Sequence, residues 1–260
     1  MKRRLRILVT AAAIGASASL AGAAAAEPWS VSISPYVWAA SLDGKATLAG
    51  FRTHVDVPFS DVFEHLDLAA LGEVEVRKGR WGLYLDGQYV KTSQDEELMA
   101  QELGLGIVKA GATGGVFYRI YDSPQGGDTV AGEPRRFVVE PMIGMRWTKL
   151  KADVEVLGFR TSKKADWTEP FVGVRSSLDL TDRWNLSGEA DVGGFDIDNK
   201  RSANAQAFVG YRTRLLSRPA MLRAGYRVLH QSYETGDFTG QSFRWDVTQQ
   251  GPVIGLTMGF

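Results

Sequence analysis

In four separate stretches of the chain, apolar side chains occupy every second position, and this period of two constrains the fold more than any other feature. Trp184, Leu186, Gly188, Ala190 and Val192 share one face of an extended segment, with Asn185, Ser187, Glu189 and Asp191 opposite. Ala203, Ala205, Ala207, Val209, Tyr211 and Leu215 alternate in the same way with Asn204, Gln206, Phe208, Gly210, Arg212 and Arg214. Val139, Pro141, Ile143 and Met145 oppose Glu140, Met142 and Arg146, and the same dyad runs from Trp81 to Tyr89. The 3.6-residue period of amphipathic helices is nearly absent, so strands with one apolar face must build the molecule.

Two sizes of turn punctuate these segments. Short ones fall at 78–80, 181–183 and 217–219, and longer polar stretches lie between them at 93–102, 196–202 and 235–241. Short turns on one side and longer loops on the other are the habit of transmembrane barrels. The expected fold is therefore all-β, a transmembrane antiparallel up-and-down β-barrel of about ten strands. Twelve result if 44–59 and 152–159 also span, and either even number keeps both termini periplasmic.

A soluble β-sandwich alternates too, and the last strand separates the two possibilities. Ile254, Leu256, Met258 and Phe260 form an apolar face that runs to the final residue, with Gly255, Thr257 and Gly259 opposite. Chain ends of soluble domains are usually polar and frayed. An aromatic last residue suits anchoring at a bilayer interface and reading by an assembly machine, so these four residues are the expected barrel-assembly signal. Trp29, Trp38, Trp81, Trp147, Trp167, Trp184 and Trp245 fall near expected strand ends, where an amphipathic ring suits the headgroup level.

Lys2, Arg3, Arg4 and Arg6 precede an uncharged run from Ile7 to Ala26 that ends in four alanines, the pattern of a secretory signal peptide. Cleavage after Ala26 leaves one domain, residues 27–260. The whole chain balances 30 basic against 30 acidic residues, and loss of the four leader cations makes the mature part mildly acidic. No basic field for nucleic acid exists, and the absence of cysteine removes disulfide frameworks and thiolate metal sites. Beyond the leader no stretch approaches the ~20 apolar residues of a spanning helix.

The segments SPYVWAASLDG, FSDVFEHLD, VRKGRWGLYLDGQYV, TEPFVGVRSSLDLTDRWNLSGEADVGGF and GPVIGLTMGF resemble a widespread family of small, porin-like Gram-negative outer-membrane β-barrel proteins ending in a C-terminal Phe. The resemblance covers nearly all of residues 27–260. It rests most on the DRW turn at Asp182–Trp184, the GGF strand end at Gly193–Phe195 and the GP-x-x-GL-x-x-x-F terminus at Gly251–Phe260. It implies the fold, the outer membrane of a Gram-negative cell, and periplasmic chaperones and barrel-assembly machinery as partners. No activity, cofactor or catalytic residue comes with it.

Function must then be read from the faces. Strand parity turns Asp86, Glu140, Glu169, Asp179, Glu189 and Asp191 inward together with Arg146, Arg175, Arg212, Arg214, Arg223 and Arg227. Six acids against six arginines make a lumen neutralised within itself. In a barrel only slightly wider than the side-chain-filled interior of eight strands, such pairs would cross-link opposing walls. A selective channel would instead show a ring of one sign at its constriction. The expected role is therefore structural or surface-interacting, in contact with outer-membrane lipid and lipopolysaccharide and without enzymatic chemistry. A narrow porin-like channel for small solutes is the alternative.

Residues 59–71 form the one candidate helix, with Ser60 or Asp61 to cap it and Val62, Phe63, Leu66 and Leu68 as a partial apolar face. It reads as a lumen plug or, more simply, a local turn. His54 and His65 stand without a third ligand, so no metal site is expected. His230 and Ser232 share the lipid-facing side, a pairing similar to that of outer-membrane lipid A deacylases, with Glu234 or Asp246 available to orient the histidine. Tyr233 stands where those enzymes usually carry asparagine. An interfacial histidine and a loop-proximal serine are the simpler reading of the pair, since a match at two residues is weak.

Overall fold

The computed structural model describes residues 28–48, 51–98, 101–156, 159–236 and 242–260; the expected signal peptide lies outside them. The alternating segments are all strands. In chain order they are β1 (Trp29–Trp38), β2 (Ser41–Leu48), β3 (Phe51–Val57), the helix α1 (Phe59–Glu64), β4 (Leu66–Lys78), β5 (Trp81–Leu98), β6 (Gln101–Tyr118), β7 (Tyr121–Asp128), β8 (Pro134–Val156), β9 (Phe159–Asp179), β10 (Trp184–Gly193), β11 (Lys200–Leu215), β12 (Arg218–Gly236) and β13 (Ser242–Gly259).

Ten strands close a ring in the order β1, β4, β5, β6, β8, β9, β10, β11, β12, β13, and β13 returns to β1. The closing pair is antiparallel from Ser32 opposite Gly259 to Trp38 opposite Val253. Below it, the backbone N–H groups of Phe260 and Val31 each donate to the other's carbonyl, at 2.8 and 3.3 Å. Three further strands extend the wall. β2 prolongs the line of β1 along β13, from Ser41 opposite Gln250 to Thr47 opposite Arg244, and β3 folds back beside β2. β7 prolongs β6 at the foot of β8. The ten-strand reading is thus the observed one, and the twelve-strand alternative falls. Residues 44–48 and 51–57 belong to the paired strands β2 and β3 beside the ring, and 152–156 is the far end of β8, paired with β9.

The wall is apolar outside. Leu83, Leu85, Ile143, Met145, Val172, Val174, Leu186, Val209, Leu222 and Ile254 all point outward and are exposed. At the lower rim this band ends in aromatic pairs: Trp81 on Tyr118 (4.7 Å), Trp184 on Tyr211 (5.0 Å) and Tyr121 on Phe137 (5.5 Å). Lys78 reaches over Trp29, and Arg218 over Phe260. At the upper rim the outward positions turn charged or polar at Lys91, Lys149, Asp166, Arg201 and Gln250. An apolar belt between two such rims is what hydrocarbon and headgroups require of a barrel exterior.

Two local expectations need correction. Only Phe59–Glu64 is helical; none of it is buried, so it plugs nothing, and Leu66 and Leu68 belong to β4. Trp38 and Trp167 do not meet the headgroup level. Both point into the lumen and are buried. The tight β10–β11 connection has left-handed backbone at Gly194 (φ 77°), Phe195, Asp196, Asp198 and Asn199.

Candidate functional site

The interior is the chemically dense part of the molecule, because closure leaves every second side chain of ten strands facing inward. Its charges sort into two tiers. In the lower tier Arg77 on β4 donates to both oxygens of Glu140 on β8 (2.6 and 3.1 Å) and to its neighbour Glu75. Arg175 on β9 donates to Glu75 at 2.7 Å and lies 3.6 Å from Glu189 on β10. Arg119 adds a second donor to Glu140 at 3.2 Å. Arg77 and Arg175 both lie over the ring of Phe117, at 4.5 and 4.4 Å. The walls so joined are three or four strands apart around the ring.

The middle tier is one connected network. Arg146 on β8 donates to both oxygens of Asp191 on β10 (2.8 and 2.9 Å) and to Ser202 (2.9 Å), and stands 3.6 Å from Glu169. Asn204 on β11 donates to Asp191 and accepts from Arg227 Nε on β12, at 2.8 and 3.0 Å. Arg227 lies 4.0 Å from Asp86 on β5, whose other oxygen accepts from the Tyr36 hydroxyl at 2.6 Å. The chain of contacts therefore crosses from β8 to β5 by way of β10, β11, β12 and β1. Above it, Trp167 stacks on Tyr233 (4.9 Å), and Tyr233 meets Phe243 at 6.0 Å.

The remaining sequence-derived positions are placed as follows. Arg212 lies 2.6 Å from Asp179 near the lower rim, where Asn185 also donates to Asp179. Arg223 lies over the Phe208 ring and lines a cavity together with Glu73. Arg214 is exposed and donates to the Val130 carbonyl at 3.2 Å, because it lies on the last turn of β11, below the closed part of the lumen. Glu73, Glu75, Arg77, Tyr36 and Asn204 were not among the residues the sequence singled out. The first three alternate with Val74 and Val76, the same period of two that marks the other strands.

The lumen retains two adjoining spaces, a lower cavity of about 170 Å³ and a smaller one of about 30 Å³ above it. Glu73, Gln206, Phe208 and Arg223 line both. A polar space of the larger size holds several waters.

Outside the barrel, His230 Nδ1 meets the Thr248 hydroxyl at 3.1 Å and its Nε2 lies 3.7 Å from Asp246. Asp246 is in turn held by Arg244 at 2.9 Å. Ser232 is two residues along the same face and does not bond His230, so the nucleophile–base contact of a hydrolase is not formed. His65 Nδ1 bonds the Asp61 carbonyl, and His54 stands 4.0 Å from Asp43. Among the described residues no group of three or more His, Asp or Glu is disposed to hold a metal.

A closed antiparallel barrel with an apolar, aromatic-rimmed exterior and a charged interior is a transmembrane β-barrel, since the polarity is the reverse of what water demands. Several solved structures resemble the chain at low identity and low TM-score. Ail, the attachment invasion locus protein of Yersinia pestis, is 11% identical with a TM-score of 0.35, over 90% of this chain and 99% of that one. Neisserial surface protein A is 15% identical with a TM-score of 0.29, over 89% and 97%. OmpT, an outer membrane protein of Vibrio cholerae, is 10% identical with a TM-score of 0.22, over 89% and 98%. Likeness at this level assigns no activity. No protein-family model matches the chain, and no curated protein matches it.

Proposed function

We propose that this protein is an integral outer-membrane barrel of a Gram-negative cell, exported through a cleaved leader at 1–26, with a closed lumen and a structural or surface-interacting role. The observation that carries this reading is the pair of charge tiers joining opposite walls. A solute would have to break buried ion pairs at two levels, and each broken pair leaves an uncompensated charge in a confined space. The partners implied are outer-membrane lipid, lipopolysaccharide and the assembly machinery. Purified, folded protein in planar bilayers is expected to show no steady conductance. Stable openings would overturn the closed-lumen reading in favour of a narrow passive channel, which the two adjoining cavities support as a second reading.

Ile254, Leu256 and Met258, outward on β13, and Phe260, the residue after it, are the proposed barrel-assembly signal. Phe260→Ala is expected to lower the amount of heat-modifiable protein in the outer membrane several-fold and to leave periplasmic aggregate. Unchanged levels would remove that role. Lipid A ester hydrolysis is not part of the proposal, because His230 is engaged by Thr248 and Asp246 rather than by Ser232.

A further inference from the structure

Like charges directly opposite each other on neighbouring strands are destabilising, and the outer wall carries such a pair. Lys91 on β5 lies opposite Val108 on β6, Val108 opposite Lys151 on β8, and Lys151 opposite Lys164 on β9. The alternation that turns Leu85, Val116, Met145 and Val172 outward turns all four of these residues outward too. The row beneath them, Tyr89, Ala110, Lys149 and Asp166, adds a fourth lysine on the same face. Strands lie about 5 Å apart and alternate residues of one strand about 7 Å apart, so the backbones at Lys149, Lys151 and Lys164 stand within about 8 Å of one another.

The acids nearby do not neutralise this group. Lys91 is bound by Asp67 at 3.0 Å. Asp166 is opposite Lys149, yet among the described residues neither Lys149 nor Lys164 makes an ion pair. Asp153 follows only in the row above. The depth of the cluster is fixed by what lies under it. Two residues below Lys149 and Lys91 come Trp147 and Gly87's neighbour Tyr89, and below those the apolar Met145 and Leu85. The lysines therefore mark the level at which the wall leaves hydrocarbon on its outer side, where lipid headgroups begin. Beneath them the outward positions of β6 are small, Ala110, Ala112 and Gly114, between the larger side chains of β5 and β8.

On the outer-membrane reading given above, we infer that Lys149, Lys151 and Lys164 hold a phosphate of lipid A, the phosphorylated lipid of the outer leaflet, with Lys91 at the edge of the site and an acyl chain of the same molecule along the small residues of β6. An ammonium is a point charge suited to phosphate, and clustered lysines at a membrane surface select anionic headgroups. A phosphate between Lys151 and Lys164 converts a repulsive pair into an attractive triad.

The test uses the full-length protein folded into vesicles of phosphatidylcholine alone, or doped with lipid A that carries both its phosphates, or doped with lipid A from which both have been removed. The readout is the urea midpoint of the heat-modifiable band, because a ligand of the folded barrel raises its stability by mass action. Phosphorylated lipid A is expected to raise the midpoint and the dephosphorylated form to raise it much less. Lys164→Gln is expected to match or exceed wild type in phosphatidylcholine alone, since repulsion from Lys151 is relieved, and to lose about half or more of the rise with phosphorylated lipid A. Lys149→Gln removes a second cation of the site and serves if the first variant does not fold. An equal rise with both forms of lipid A overturns the inference, as does a rise that survives both substitutions. Equal weakening of Lys164→Gln in all three vesicles also overturns it, because that lysine would then serve the fold alone. Separation of outer from inner membranes reports the location independently: protein found in the outer membrane without the phosphate-dependent rise keeps its location and loses the site.

Discussion

Arg146→Ala is expected to lower the stability of the barrel by about 3–5 kcal/mol, the range for removing one partner of a buried ion pair. Arg146 is 3% exposed, and its guanidinium satisfies both oxygens of Asp191 and the Ser202 hydroxyl while standing beside Glu169. Without it two carboxylates remain in a space closed above by the Trp167–Tyr233 stack, with no cation to replace it at that level of β8. The measurement is the urea midpoint of the heat-modifiable band. Lys200→Ala is the comparison: Lys200 itself is 15% exposed, but its acid Asp198 is 78% exposed and is left in contact with solvent, so the loss should stay at ~1 kcal/mol. Adding Asp191→Asn and Glu169→Gln to Arg146→Ala is expected to restore much of the loss, because the stranded charges are then gone. Equal losses for Arg146→Ala and Lys200→Ala would falsify the tiered lumen.

Gly251→Val is expected to prevent the ring from closing. Any Cβ at this position would stand 1.9 Å from the Ala39 carbonyl oxygen and 3.1 Å from Ala40 Cα. Both obstacles are backbone, so a rotamer change cannot relieve them, and β1 must separate from β13 where it gives way to β2. Overpacking of a yielding core costs ~1–3 kcal/mol; here the loss should exceed that and appear as loss of the heat-modifiable band. Gly87→Ala provides the comparison, since a Cβ there would lie 3.9 Å from its nearest neighbour, the Gly72 carbonyl oxygen. That variant should fold at nearly wild-type yield. A normal yield of folded Gly251→Val would mean that the β1–β13 junction is looser than described.

The strands were readable wherever the two faces of the wall meet different surroundings. From Trp184 to Leu215 one face meets lipid and the other a charged interior, so the period of two is clean. It fails over residues 66–71, read as helix, because both faces are apolar there. Leu68 and Ala70 border the lipid, and Leu71 packs on the cluster around Trp38. By the same local inversion Trp38, near a strand end in sequence, packs in the interior with Leu229 and Val253. The inward charges of β8 to β11 follow from parity alone, but their partners Glu75 and Arg77 sit on the strand whose upper half concealed its alternation. Which acid meets which arginine depends on strand order around the ring and on registers, and neither is written in local sequence.

The strands are of very unequal length. β8 and β9 run 23 and 21 residues, β12 and β13 run 19 and 18, yet β10 has only 10. The outward face of β10 stays apolar to its last outward residue, Val192, and the turn after it lies well below the tops of its neighbours, which continue upward. The outer rim is thus a parapet with a low sill, and Phe195 and Ile197 stand exposed on it. A body arriving from above meets tall hairpins first, whereas one sliding within the plane of the membrane surface meets the sill. The molecule has a front, and it faces sideways along the leaflet.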